Sequence, residues 1–169
     1  GMARFCNNRL MLEMRSLSMT KAFEEVWRAV AGAADFPRYE ALPLQDAVYA
    51  PHALTLEVIE DGEDFKYLYV GEAIKRRPSI DTTGLTMSAL PGRGPGSLVF
   101  ANACRVYETA TLSRQSIAFV GVGSETVETR QILAPCGRHT GRPTHLICVI
   151  DYVPRAYAPP PTVRGGGVD

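Results

Sequence analysis

The segment ALTLEVIEDGEDFKYLYVG, residues 53–71, decides the fold because it predicts two strands joined by a tight turn. Apolar and polar side chains alternate over residues 54–58, which is the two-residue period of a strand. Asp61-Gly62 is a turn pair typical of a β-hairpin. The returning residues, 65–71, are rich in aromatic and aliphatic side chains. The segment therefore predicts an antiparallel hairpin within a larger sheet.

Both faces of the returning strand are apolar. Regular alternation places Tyr67 and Tyr69 on one face and Leu68 and Val70 on the other. Because neither face is polar, we expect a layer of structure to cover each side of the sheet.

An amphipathic helix is predicted over residues 21–32, KAFEEVWRAVAG. Its apolar side chains, which include Phe23 and Trp27, fall on one stripe at helical spacing, and charged residues occupy the other side. Thr20 is a suitable N-cap, and Gly32 is a suitable residue after the last turn. This helix is the candidate to cover the second face of the sheet.

The rest of the chain supplies a helical segment and three further strands. Residues 75–96 are rich in Pro, Gly, Ser and Thr, which favours short helical turns. A longer helical pattern begins after Ser97, which is a suitable N-cap, and ends near Leu112. Three strand-like runs follow, at residues 115–122, 126–135 and 144–153. The predicted fold class is α+β: a five-stranded antiparallel sheet with a helical insertion between strands 2 and 3 and an N-terminal helix flanking the sheet.

Composition and length limit the possible functions. The 169 residues suggest one domain, and 18 basic against 18 acidic residues argue against a nucleic-acid or anionic-membrane binder. No apolar run reaches the roughly 18 residues that a membrane span needs. The four cysteines are scattered, so we expect reduced thiols and a cytoplasmic protein.

The two ends of the chain differ from the middle. Residues 1–19 are predicted to be an N-terminal extension in which Gly1, preceding Met2, is a remnant of tag cleavage. Residues 20–153 form the predicted domain. Residues 154–169 are rich in Pro and Gly and are predicted to form an extended tail.

The stretch CGRHTGRPTHLIC, residues 136–148, combines two cysteines and two histidines and raises the question of a metal site. If its second half is a strand, His145 and Cys148 are three residues apart and point to opposite faces, so they cannot bind one tetrahedral ion. Its Gly and Pro residues are typical of a connection between strands. We predict a hairpin and no metal site, although a small thiol- or metal-dependent enzyme using Cys136, His139 and His145 stays an alternative.

Other catalytic signatures are missing, which leaves an interior pocket as the main candidate site. A crevice between the middle helix and the sheet is a common place for a small ligand. The predicted ligand-binding residues are Cys104 and Tyr107 on the helix and Tyr69 and Phe119 on strands.

Several short motifs resemble one family. They are Trp27-Arg28 in the first helix, Pro37-Arg38 after it, the Tyr-x-x-x-Gly pattern of residues 67–71, and Thr83-Gly84 in the helical middle. Over residues 22–153 the chain resembles Per-Arnt-Sim (PAS) sensor domains, and in particular a subgroup common in alphaproteobacteria. The sequence RRPSIDT replaces the Phe-Gly-Arg-Asp that usually precedes the Thr-Gly pair.

The resemblance implies a stand-alone sensory or regulatory module that is not an enzyme. Such a module would bind a small molecule between sheet and helices and act on an unidentified signalling partner. A homodimer through the N-terminal helix is also implied, whereas the ligand and any cofactor stay unknown. A purely structural dimerisation domain, with its interface through Phe23 and Trp27, is a further alternative.

Overall fold

The computed structural model describes residues 18–77, 81–120, 126–138 and 141–154. The turn predicted at residues 123–125 and His139 lie outside the described residues, as do the predicted extension up to residue 17 and the tail from residue 155. The helices and strands in chain order are α1 (Met19–Ala31), β1 (Ala53–Ile59), β2 (Asp64–Val70), α2 (Glu72–Lys75), α3 (Leu98–Thr109), β3 (Ser113–Val120), β4 (Thr126–Cys136) and β5 (His145–Pro154).

The five strands form one antiparallel sheet in the order β2-β1-β5-β4-β3. The last strand in sequence, β5, is therefore the central strand and pairs with both β1 and β4. Two short helical elements, α2 and α3, lie between β2 and β3 in the chain and pack on one face of the sheet. This is the PAS-like architecture, and it confirms the predicted fold class.

The central strand is buried on both sides. Leu146 through Ile150 are all buried, because even-numbered residues pack under α3 and odd-numbered residues pack under α1. Leu146 and Cys148 belong to the cluster of α3, and Ile147 and Val149 belong to the cluster of α1. The predicted covering of both sheet faces is thus confirmed.

Helix α1 is fixed to the sheet by its apolar stripe. Phe23 is fully buried and meets the Tyr49 ring edge-on at 5.2 Å between centroids. The Trp27 indole N–H donates a hydrogen bond of 2.9 Å to the carbonyl of Pro135 on β4. The apolar stripe predicted from the sequence therefore packs against the sheet of the same chain.

The first turn of α1 is held by one carboxylate on β5. Asp151 accepts hydrogen bonds from the backbone N–H groups of Met19 and Thr20, at 2.8 and 3.1 Å, and from the hydroxyls of Ser18 and Thr20. The N-cap is Ser18, whose hydroxyl accepts from the N–H of Lys21 at 3.2 Å. The predicted N-cap, Thr20, was wrong because the helix begins one residue before it.

A β-bulge in β2 overturns the predicted side-chain directions. Opposite Thr55 and Leu56 the register shifts, so that Tyr69 pairs with Thr55 but Tyr67 pairs with Leu56. The extra residue, Leu68, reverses the alternation at this point. Tyr67 consequently faces α3, whereas Tyr69 packs on the face that α1 covers.

The helical middle follows the sequence closely. Ser97 is the N-cap of α3, since its hydroxyl accepts from the N–H of Phe100 at 3.2 Å. The helix ends at Thr109, three residues earlier than predicted, because Ala110 adopts a left-handed conformation with φ 53°. Among the described residues, no helix is long and apolar enough to span a membrane.

Removing the Phe23 side chain tests the attachment of α1. Phe23→Ala should lower the free energy of unfolding by about 3–5 kcal/mol, because a buried aromatic ring leaves a cavity when it is truncated. Glu25→Ala, at an exposed position of the same helix, should change it by less than about 0.5 kcal/mol. Urea denaturation measures both values, and an equal effect of the two variants would contradict the packing described here.

The pH dependence of stability tests the Asp151 contact. Burial alone would raise the pKa of this carboxyl, but the hydrogen bonds from Ser18, Thr20 and the backbone outweigh it and lower the pKa. A lowered pKa contributes stability to the folded state at pH values above the unfolded-state pKa of about 3.9. This contribution is lost as the pH falls through the folded-state pKa. The stability difference between wild type and Asp151→Asn should thus be present at neutral pH and shrink below about pH 4. A stability difference that does not change with pH would refute the contact.

Candidate ligand cavity

A cavity of about 440 Å³ lies between the helical middle and the sheet. Its walls come from all five strands and from α3, and the C-terminal side of α2 and the loop before α3 close it further. Ligand sites in proteins typically measure about 300–1,000 Å³. The space therefore suits a molecule of metabolite size.

The floor of the cavity is apolar. Leu54 and Leu56 on β1, Leu133 on β4, and Cys148 and Ile150 on β5 face it. They share one sheet face because side chains two residues apart on a strand point the same way. Burial raises the pKa of the Cys148 thiol to about 12, so this side chain is neutral and acts as a small apolar group.

Amide side chains line the part of the cavity on β3 and β4. Gln115 and Gln131 face each other directly across these strands, and both line the cavity. The Gln131 amide N–H donates a hydrogen bond of 3.4 Å to the hydroxyl of Thr129. Asn102 on α3 accepts a 2.9 Å hydrogen bond from the Ser113 hydroxyl, which holds its amide in place. These groups can orient a polar edge of a ligand.

Two arginines line another part of the cavity. The guanidinium carbon of Arg77 lies 3.9 Å from the centre of the Tyr152 ring. Arg93 donates a hydrogen bond of 3.2 Å to the hydroxyl of Tyr67. Burial raises the pKa of Tyr152, while the positive charges of Arg77 and Arg93 act in the opposite direction. Both arginines and both tyrosines line the cavity.

None of the sequence-predicted ligand residues with described side chains lines the cavity. Tyr69 lies on the opposite sheet face, where its hydroxyl donates to the carbonyl of Ala50 at 3.0 Å. Cys104 and Tyr107, both on α3, pack with the hydrophobic core on the cavity side of the sheet. The Phe119 side chain is outside the described residues. A role for these four residues in ligand binding stays a prediction.

Sequence reasoning missed the polar lining, although a signal was present. Gln115 and Gln131 each lie two residues from an apolar residue of the same strand, Ile117 and Leu133, that faces the cavity. A polar residue on an otherwise apolar strand face indicates a buried polar contact or a ligand site. The arginines gave no such signal, because they lie in irregular segments without periodicity.

The Cys/His stretch forms the hairpin between β4 and β5. Cys136 pairs with His145, and the N–H of Thr144 donates to the carbonyl of Cys136 at 3.0 Å. His145 stacks on Tyr39 at 3.8 Å between ring centres on the α1 side, whereas Cys148 faces the cavity. The predicted divergence of His145 and Cys148 is confirmed. Within the described part of the chain, no His, Cys, Asp and Glu side chains are grouped to hold a metal ion.

Comparisons with known proteins yield structural matches only. No protein-family model matches the chain, and no curated protein does. The Rhodobacter sphaeroides LOV protein aligns with a TM-score of 0.44 at 11% identity, over 62% of this chain and 60% of its own. The LOV domain of the Erythrobacter litoralis EL346 blue-light activated histidine kinase aligns with a TM-score of 0.43 at 11% identity, over 61% of this chain and 95% of its own. An RNA-binding Light-Oxygen-Voltage receptor aligns with a TM-score of 0.42 at 17% identity, over 59% of this chain and 28% of its own.

The chain thus covers less than two thirds of the Rhodobacter protein. LOV domains are a subfamily of PAS domains. The strand order and the helical segment between β2 and β3 are those of a PAS-like fold. Membership of an alphaproteobacterial PAS subgroup stays a prediction.

Proposed function

We propose that this chain is a sensory or regulatory module that binds a small molecule in the cavity between α3 and the sheet. The observation that carries the proposal is the cavity itself, about 440 Å³ with an apolar floor and a few polar groups. A concave space of this size that is mostly apolar and carries a few polar groups is the usual form of a small-molecule site.

The proposal treats the protein as a binding module and not as an enzyme. The thiol of Cys136 is fully buried, and burial raises its pKa far above the ordinary value, which disfavours the reactive thiolate. Burial also lowers the pKa of His145, whose Nδ1 lies 2.8 Å from the Thr144 hydroxyl. These groups are suited to packing, so the thiol- or metal-enzyme alternative lacks support.

The purely structural alternative is also less well supported. A dimerisation domain of that kind would have a filled core and an interface through Phe23 and Trp27. The core instead contains a cavity, and both aromatic side chains are buried within the chain. A homodimer through α1, a cytoplasmic location and a downstream signalling protein belong to the proposal, and such a dimer would use the exposed side of α1.

The central strand offers a route from the cavity to α1. Cys148 and Ile150 face the cavity, while Val149 and Asp151, their neighbours in sequence, contact α1 or its first turn. A ligand can shift the position of α1 only if it binds two arrangements of this contact with different affinity. We propose that α1 passes such a difference to the partner.

Filling the cavity tests the proposed function. Ala103 on α3 is buried and lines the cavity, so Ala103→Leu places three extra heavy atoms inside it. The neutral fluorescent dye N-phenyl-1-naphthylamine should bind the wild type saturably with one site. The variant should bind at least about tenfold more weakly, because overfilling a packed site costs about 1–3 kcal/mol.

The control is Ala101→Leu, which adds the same side chain at an exposed position of the same helix. It should bind the dye like the wild type, and circular dichroism should show that both variants are folded. Saturable binding that Ala103→Leu leaves unchanged, or no saturable binding to the wild type, would refute the cavity as the binding site.

A further inference from the structure

We infer that the ligand of this cavity is an amphipathic anion, whose negatively charged group is held by Arg77 and Arg93. The inference rests on the proposed function and specifies the chemical class of ligand for the same site. It follows from the unequal distribution of charge around the cavity.

Both arginines keep most of their hydrogen-bonding capacity. A guanidinium carries five N–H donors. Arg93 uses one of them on the hydroxyl of Tyr67. The guanidinium of Arg77 lies over the ring of Tyr152 in a cation–π contact. This contact does not use the N–H groups of Arg77 as hydrogen-bond donors. The two aromatic side chains thus orient the guanidinium groups without neutralising them.

Arg77 and Arg93 differ in their partners from two arginines on the other face of the sheet. On the other side of the sheet, Arg28 and Arg114 both form ion pairs with Glu24. Among the described residues, no carboxylate lies within ion-pair distance of Arg77 or Arg93. An anion bound in the cavity would be attracted by both positive charges.

The rest of the lining indicates what else the ligand contains. The leucine, cysteine and isoleucine side chains of the floor offer no hydrogen bonds and suit an apolar or aromatic body. Gln115 and Gln131, on the strands β3 and β4, suit polar atoms on that body. A simple inorganic anion would use only the arginines and leave the apolar floor uncovered. The lining therefore fits a carboxylate, phosphate or sulfonate attached to an apolar body.

A matched pair of dyes tests this inference on the full chain. N-phenyl-1-naphthylamine is neutral, and 8-anilino-1-naphthalenesulfonate has the same ring system with one sulfonate added. We expect the sulfonate to bind at least about tenfold more tightly at low salt, because hydrogen bonds to charged groups are the stronger ones. Arg77→Gln and Arg93→Gln should each remove most of that advantage, so that the ratio of the affinities for the two dyes falls toward one.

Arg28→Gln is the matched control, since it removes one positive charge from the side of the sheet that α1 covers. It should leave the affinities for both dyes unchanged. Equal affinity of the wild type for both dyes, or equal loss in Arg28→Gln and Arg93→Gln, would overturn the inference while leaving the proposed function intact. If neither dye binds saturably, the proposed function itself fails.

Two further probes distinguish the possible headgroups. Titration with 2-naphthoate and with 1-naphthyl phosphate compares a carboxylate with a phosphate on the same ring system. The inference is supported if at least one of them binds and is weakened at least about tenfold by Arg93→Gln, the loss expected for a charged hydrogen bond. It is overturned if both bind and neither responds to the arginine variants.

Discussion

The whole arrangement depends on one strand that is buried on both faces. Leu146 through Ile150 of β5 have no exposed side, so the sheet is stable only with a layer on each side of it. The helical middle supplies one layer, and α1 supplies the other. Asp151 connects the central strand to the α1 layer, because it lies on β5 and accepts hydrogen bonds from the first turn of α1.

The two layers differ in the side chains that they present to the sheet. On the α1 side, large residues such as Phe23 and Trp27 reach the strands, and the indole of Trp27 hydrogen-bonds to β4. On the other side, α3 presents the small residue Ala103 to the sheet, and short turns replace a continuous helix before it. The cavity lies on this second side, beneath α3. Its polar groups line the space that a bound molecule would occupy.

Much of the fold could be predicted from the sequence because periodicity governs it. The alternation in residues 54–58, the stripe through Phe23 and Trp27, and the N-cap Ser97 each depend on local spacing, and the structure agrees with them. The prediction that Tyr67 and Tyr69 share one face was wrong, because a single inserted residue, Leu68, changes the register. No sequence pattern predicts a bulge of this kind.

The lining of the cavity was less predictable for a similar reason. Fifteen residues separate Arg77 from Arg93, and their sequence has no hydrophobic periodicity that would predict the direction of either side chain. The sequence also suggested Tyr107, which packs instead against the β1–β2 turn, where its ring leaves no room for a Cβ at Gly62. Helix periodicity identifies the buried side of α3 but does not distinguish the residues beside a cavity from those within the core.

The central claim is that a small molecule binds between α3 and β5. Hydrogen–deuterium exchange of the full chain, with and without saturating 8-anilino-1-naphthalenesulfonate, tests it most directly because it locates the bound molecule in the sequence. The expected result is slower amide exchange in Leu98–Thr109 and His145–Pro154 when the dye is bound. Saturable dye binding with unchanged exchange in both segments would contradict the claim.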